Sequence, residues 1–240
     1  MADTPPRTPH NWRPGRFMVI VAHPDDADFG PAATAAKWID AGSIGRLVCC
    51  TSGDAGGDDW RTDPLELAAT REAEQLAAAT VVGYEGVAFL HQPDGALAND
   101  LALREQLVRE IRTFRPDAVL AVDPDTLFYT DGGVNHTDHR AAGIAAVDAV
   151  YPAARNAMSF PWLARDGLLP HPCGACTCSG QTTPTPGWTR RPPCTAGSTP
   201  CAPTRARYAA QSNSRSVCAH GHARRARPSA VPPRTPSESS

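Results

Sequence analysis

Length and composition place this chain among globular proteins and exclude several other classes. It has 240 residues, 41% of them hydrophobic, with 23 basic and 25 acidic side chains and a formal net charge of −2. That is enough material for one α/β domain with a buried core. No apolar run approaches the length that spans a membrane, and the first sixteen residues are polar and Pro-rich, unlike a signal peptide. We therefore expect a cytoplasmic protein without a membrane span.

Hydrophobic periodicity predicts strands and helices that alternate along the first 150 residues. The predicted strands are 17–22, 47–51, 87–90 and 118–122, and the predicted helices are 32–41, 65–82, 101–114 and 139–150. Residues 1–16 are expected to be a disordered lead. Strands that alternate with helices are typical of a Rossmann-like, doubly wound α/β fold with a mostly parallel sheet. Residues 17–170 are predicted to form this domain.

Four polar segments follow the ends of predicted strands. They are the His-Pro-Asp-Asp run at 23–26, the Gly/Asp loop at 52–59, the Pro-Asp-Gly turn at 93–95 and the segment 123–139. Open α/β sheets bind their ligands beyond the carboxyl ends of the strands. We therefore expect all four segments to converge on one rim and to form a ligand site there.

Composition changes sharply near residue 170. From residue 171 to residue 240 there is no Leu, Ile, Phe, Met, Lys or Asp, and Pro, Thr, Ser, Ala and Arg dominate. This tail has nine Arg and one acid, a net charge of +8, which leaves 14 basic and 24 acidic residues in the first 170, a net charge of −10. Such a low-complexity segment cannot bury enough apolar surface to offset its ordering entropy. A disordered C-terminal tail is therefore expected over 171–240.

The tail also holds six of the eight cysteines: Cys173, Cys176, Cys178, Cys194, Cys201 and Cys218. Without a signal peptide they do not predict a disulfide framework, and their spacing with His220 and His222 fits zinc-finger patterns poorly. Every cysteine codon read one base earlier encodes only Leu, Val or Met, and that frame permits a strand-like apolar run after residue 173. The leading hypothesis is that the tail is a frameshift product and that the domain before it is incomplete, which sequencing of the gene would test.

Two of the polar segments carry side chains that can bind a metal ion and move protons beside it. His23 and Asp26 lie three residues apart after a strand, so both can reach one point. A histidine from the 136–139 segment would complete a three-ligand catalytic zinc site. Asp25 would then face elsewhere and take a proton from water that the metal activates. The remaining histidine would stabilise an oxyanion or protonate the leaving amine, and Asp138 would fix its tautomer.

Each motif also has an ordinary structural interpretation. A His-Pro-Asp sequence is common in turns, and Asp25 or Asp26 alone can cap the next helix. Asn135 and Thr137 can likewise be loop and cap residues. The presence of both motifs on one predicted rim favours the metal site.

The run Ala22-His23-Pro24-Asp25-Asp26, followed downstream by His136-x-Asp138-His139, resembles the PIG-L/LmbE family of zinc-dependent de-N-acetylases. The resemblance covers roughly residues 17–170 and includes Arg71-Glu72-x-Glu74 and Phe89-Leu90-x-x-Pro93-Asp94-Gly95. Members remove acetyl groups from N-acetylglucosaminyl compounds, and relatives act as amidases on similar conjugates. The resemblance implies a Zn²⁺ cofactor and a small-molecule amino-sugar conjugate as substrate, and it leaves the oligomeric state open.

The family pattern also implies a role for each matching residue. The zinc ligands would be His23, Asp26 and His139, and the general base would be Asp25. His136 would stabilise the oxyanion or act as the acid, with Asp138 in support. The residues that contact the substrate would be Asp54, Arg71 and Asp94. For Arg71 a surface ion pair on its helix is an equal alternative. His91 matches no family role and is expected to be structural or exposed. Ala27 replaces the usual Glu after the two Asp residues, and the next helix starts with the less Gly-rich Gly30-Pro31-Ala32-Ala33.

Two other functions stay open at this point. A catalytically impaired or unstable member of the same family would keep the motifs but fold poorly because of its tail. A nucleotide-binding Rossmann module is disfavoured, because the first strand–helix turn carries His-Pro-Asp-Asp where a phosphate-binding loop needs several glycines. The acidic first 170 residues also argue against a nucleic-acid partner.

Overall fold

The computed structural model describes residues 13–179, whose strands form a five-stranded parallel sheet with flanking helices. The strands are β1 (Arg16–Val21), β2 (Ile44–Thr51), β3 (Gly86–Gln92), β4 (Ala118–Val122) and β5 (Ala175–Ser179). The helices are α1 (Asp26–Phe29), α2 (Ala32–Asp40), α3 (Pro64–Val82), α4 (Leu101–Phe114), α5 (Thr137–Val150) and α6 (Pro161–Arg165), with a 3₁₀ turn at Ala153–Arg155. The predicted α/β fold class is confirmed. None of the helices in this part of the chain is long and apolar enough to cross a membrane.

The order of the strands places β1 at the centre of the sheet. The order is β3-β2-β1-β4-β5, and Val19 of β1 is in register with Leu47 of β2 on one side and Leu120 of β4 on the other. Every residue of β1 from Phe17 to Val21 is buried, as expected for a continuous apolar run in a parallel sheet. The strand order reverses between β1 and β4, and ligands bind at such switch points. The segments that follow β1 and β4 therefore meet at the predicted rim.

All eight predicted elements are present, and local signals explain where the helices begin and end. Asp63 accepts a hydrogen bond from the N–H of Leu65 at the start of α3, Pro64 occupies its first turn, and Gly83 ends it with φ of 94°. Asp100 caps α4 in the same way through the N–H of Leu103. The four-residue helix α1 directly after the His-Pro-Asp-Asp run was not predicted.

The start of the chain departs from the prediction over residues 13–16. Arg16 is the first residue of β1, and the carbonyl oxygen of Pro14 accepts a hydrogen bond from the hydroxyl of Ser43 at 2.6 Å. These residues are therefore part of the packed domain. The rest of the expected disordered lead, residues 1–12, lies outside the described residues.

The boundary expected at residue 170 is wrong for residues 171–179. This segment adds β5 to the edge of the sheet beside β4, and His171, Cys173 and Cys176 are each at most 8% exposed. Cysteine and alanine bury readily as small apolar residues, and a strand's ladder uses backbone groups that composition does not report. Residues 180–240, including Cys194, Cys201, Cys218, His220 and His222, lie outside the described residues.

Candidate metal centre

The first half of the candidate site is the turn between β1 and α1. β1 ends at Val21, and His23 follows with only 8% of its surface exposed. The backbone N–H of His23 donates to Asp26 Oδ2 at 2.9 Å, which holds the Asp26 carboxylate against the turn. The strand end and this hydrogen bond therefore bring both side chains to one point, as the sequence predicts.

The second half is the start of α5, which brings His139 onto the same carboxylate. His139 Nε2 lies 3.1 Å from Asp26 Oδ1, and His23 Nδ1 lies 3.5 Å from Asp26 Oδ2. One donor atom from each of the three residues lies within 4.8 Å of the others. Two imidazoles and a carboxylate are a donor set that suits Zn²⁺ and leaves a coordination position for water. The three predicted zinc ligands are thus brought together, and their chemistry fits that ion.

Charge at this cluster is also suited to a cation. Burial alone would raise the pKa of Asp26, but hydrogen bonds from His139 and His23 outweigh it and hold that pKa well below its usual range. Burial alone would lower the pKa of His23, but Asp26 and the nearby Asp94 raise it above its ordinary value. Asp26 is therefore ionised at neutral pH, which a ligand carboxylate must be.

A second donor group overlaps the first. Among the described residues, His23, His136 and Asp138 also bring donor atoms within 4.8 Å of one another. However, the fully buried carboxylate of Asp138 already accepts the N–H groups of Gly95 at 2.7 Å and Leu97 at 3.2 Å, and it lies 3.3 Å from His23 Nε2. Both Asp138 oxygens thus accept backbone hydrogen bonds, whereas among the described residues only Oδ2 of Asp26 does, so the first group is the more available.

The contact between Asp138 and His136 differs from the one that the sequence predicts. The hydrogen bond between them runs from the backbone N–H of Asp138 to His136 Nδ1 at 3.3 Å, because His136 is the N-cap of α5. The Asp138 carboxylate turns inward and ties the loop after β3 to His23. His136 itself is exposed at the rim, within 5.1 Å of His23 between ring centroids.

Asp25 lies beside the donor groups but belongs to neither of the two that the described residues form. Its side chain is 54% exposed, and its carboxylate accepts a hydrogen bond from Arg71 Nη2 at 3.1 Å. Its backbone N–H donates to Oε1 of Gln75 at 2.6 Å. Sequence reasoning missed Gln75, and its only signal is its position one helical turn after Arg71.

Arg71 joins three segments of the rim. Besides Asp25, its guanidinium donates to the carbonyl oxygens of Pro24 at 2.9 Å and Gly53 at 3.0 Å. Gly53 has φ of 71°, which L side chains rarely adopt, and a Cβ there would also displace this guanidinium. Because these partners lie outside α3, the alternative that Arg71 forms only a surface ion pair on its own helix is wrong.

The other residues expected to contact substrate differ in exposure. The Asp94 side chain is 7% exposed, with Oδ1 at 3.0 Å from His23 Nε2 and Oδ2 accepting the N–H of Ala55 at 2.9 Å. Asp54 is half-buried in the same loop as Ala55. The His91 side chain is 67% exposed and contacts Glu72, which confirms the expectation that it is structural or exposed.

Comparison with known proteins agrees with this geometry. The PIG-L family model, described as GlcNAc-PI de-N-acetylase, matches residues 18–150. Diacetylchitobiose deacetylase from Thermococcus kodakarensis is 33% identical over 135 residues, which cover 56% of this chain and 49% of that protein. Mycothiol S-conjugate amidase from Streptomyces coelicolor is 31% identical over 146 residues, which cover 52% and 47% of the two chains.

A solved structure of a deacetylase also resembles this chain. N,N'-diacetylchitobiose deacetylase from Pyrococcus horikoshii superposes with a TM-score of 0.66 at 28% identity, covering 72% of this chain and 62% of that one. The chain spans about half the length of the first two curated relatives it matches. The family match at 18–150 includes both the turn after β1 and the start of α5.

Proposed function

The chain belongs to the PIG-L family of GlcNAc-PI de-N-acetylases, and on that basis we propose that it is a metal-dependent hydrolase that removes an acetyl group from an N-acetylglucosamine-type conjugate. The observation that carries the proposal is the group formed by His23, Asp26 and His139, with Asp25 next to it and outside it. Relatives named as deacetylases of diacetylchitobiose and of an inositol-linked acetamido sugar support this class of substrate.

In this proposal His23, Asp26 and His139 hold Zn²⁺. The ion would supply a Lewis acid that activates water and polarises the acetyl carbonyl. Asp25 would accept the proton of the attacking water, since its carboxylate is exposed on the open side of the site. As the C–N bond breaks, that proton would pass to the leaving amine, so that the products are acetate and the free amino sugar.

His136 would act on the same substrate, because its ring lies 5.1 Å from that of His23 and 5.7 Å from that of His139. Its exposed position at the start of α5 allows it to donate a hydrogen bond to the developing oxyanion or, in place of Asp25, to protonate the amine. Asp138 and Asp94 would orient His23, because their carboxylates lie 3.3 and 3.0 Å from its Nε2. Arg71 would hold Asp25, and Asp54 would contact the sugar or its aglycone.

Zinc content and acetate release from the purified chain test the proposal. We expect stoichiometric zinc by elemental analysis and acetate release from at least one substrate among N-acetylglucosamine, diacetylchitobiose and an inositol-linked N-acetylglucosamine. His139→Ala should lose both zinc and activity, whereas His91→Ala, which alters an exposed histidine outside the donor group, should keep both. A folded protein that binds no zinc and releases no acetate would instead indicate an impaired member of the family.

A further inference from the structure

Asp25 and Asp26 are neighbours in sequence, yet the proposed function gives them different tasks. Asp25 has φ of 87°, in the left-handed region that a residue with a side chain enters only at an energetic cost. We propose that Gln75 is a positioning residue that, together with Arg71, holds Asp25 in this conformation and keeps its carboxylate out of the metal donor group. The inference rests on the proposed function, because it assigns Asp25 the role of base.

The environment of Gln75 is unusual for a glutamine. It is only 2% exposed on α3, and its Oε1 accepts the N–H of Asp25 at 2.6 Å. Its Nε2 is buried without a hydrogen-bond partner among the described residues. A buried amide with an unsatisfied donor destabilises the fold relative to an apolar side chain of similar size. The hydrogen bond to Asp25 is the contact that accounts for a polar residue at this position.

Arg71 and Gln75 act from the same face of α3, because residues four apart on a helix are neighbours. Arg71 Nη2 donates to the carbonyl oxygen of Pro24 at 2.9 Å and to Asp25 Oδ2 at 3.1 Å. The helix therefore holds the turn at the carbonyl before Asp25, at the N–H of Asp25 and at its carboxylate. With the backbone so fixed, Asp26 is directed toward His23 and His139 while Asp25 is directed toward α3 and the open rim.

Replacement of Gln75 by methionine tests this role, because methionine has a similar size and no acceptor oxygen. For Gln75→Met we expect kcat to fall about tenfold or more through misplacement of Asp25, with KM and zinc content unchanged. Gln75→Glu retains an acceptor oxygen and should recover part of kcat. Gln106→Met is the matched control: that glutamine on α4 accepts a hydrogen bond from Gln92 at 2.8 Å, and its loss should leave kcat unchanged.

A crystal structure of Gln75→Met supplies a readout that does not depend on activity. We expect Asp25 to leave the positive φ region or its carboxylate to move toward the metal ligands. An unchanged Asp25 conformation, an unchanged kcat, or a loss of zinc and stability that parallels the loss of kcat would each overturn the inference. If the wild-type chain releases no acetate, the proposed function fails, and the conformation of Asp25 in the variant still tests the role of Gln75.

Discussion

At the scale of single residues, the site depends on the different surroundings of two adjacent aspartates. Asp26 lies between two imidazoles, with a carboxylate oxygen 3.1 Å from His139 Nε2 and another 3.5 Å from His23 Nδ1. Asp25 instead contacts Arg71 and Gln75 of α3. The same change, Asp to Asn, should therefore have different consequences at the two positions.

We expect Asp25→Asn to lower kcat for acetate release by about 10²- to 10⁴-fold while zinc content is retained, because the base is lost and the ligands are not. Asp26→Asn should lose zinc and activity together, since an amide is a poor replacement for an ionised ligand. Elemental analysis and acetate assays on the same preparations separate the two effects. Asp40→Asn, at the exposed end of α2 and outside the rim segments, is the control. Equal zinc loss in the Asp25 and Asp26 variants would contradict the division of roles.

The convergence of His23, Asp26 and His139 could be predicted from sequence, whereas the contact of Gln75 with Asp25 could not. His23, Asp26 and His139 occupy the ends of elements that periodicity locates well, so their convergence follows from the sheet. Gln75 lies in an Ala-rich helix where spacing does not distinguish a buried glutamine from an exposed one. Its function depends on the N–H of Asp25, fifty residues away, and only the three-dimensional structure shows that contact.

At the scale of secondary structure, α4 fixes the connection that follows α5. Arg112 of α4 is 2% exposed and donates to the carbonyl oxygens of Ala153, Ala154, Asn156 and Ser159. Arg112→Met should lower the free energy of unfolding by about 3 kcal/mol, since several buried carbonyls lose their donor. Urea denaturation measures this change.

Arg109→Met is the matched control on the same helix. Arg109 is exposed, and within residues 13–179 its ion pair is a 3.7 Å contact with Glu105, so its loss should change the free energy of unfolding by less than about 0.5 kcal/mol. Similar effects of the two substitutions would show that the carbonyl contacts of Arg112 contribute little.

Two buried cysteines at the end of β2 should make the free energy of unfolding fall as the pH becomes alkaline. Cys49 and Cys50 are fully buried, and burial raises the pKa of Cys49 and brings the pKa of Cys50 to about 12. An unfolded cysteine has a pKa of about 8.5, so the stabilisation is fully present below that pH and is lost as the pH rises toward 12. The urea midpoint should fall between about pH 7.5 and about pH 9.5. The variant Cys49→Ala/Cys50→Ala should show a smaller fall, and an identical fall would assign the effect to other groups.

At the scale of the whole molecule, the order of the strands explains why distant motifs form one site. β1 and β4 are adjacent at the point where strand order reverses, so the turn at 23–26 and the start of α5 face each other. The alternation of strands and helices was sufficient to predict this arrangement. β5 was not predicted, because Ala175–Ser179 has no branched aliphatic or aromatic side chain. Its ladder with β4 and the buried Cys176 hold it to the sheet.

The boundary of the domain can be tested with two shortened chains. A chain that ends at residue 179 keeps β5, the buried Cys173 and Cys176, and the hydrogen bond of His171 to Pro116 at 2.8 Å. Because residues 180–240 are so poor in apolar side chains, we expect its Tm to equal that of the full chain.

A chain that ends at residue 170 exposes the edge of β4 and should melt about 5 °C lower or more, since it loses a five-residue ladder and part of the core. Thermal unfolding followed by circular dichroism compares the three proteins. Equal Tm values for both shortened chains would show that the folded domain ends at residue 170, as the sequence predicts. A lower Tm for the chain that ends at residue 179 would show that residues 180–240 contribute to the fold, which would contradict the expectation that the tail is disordered.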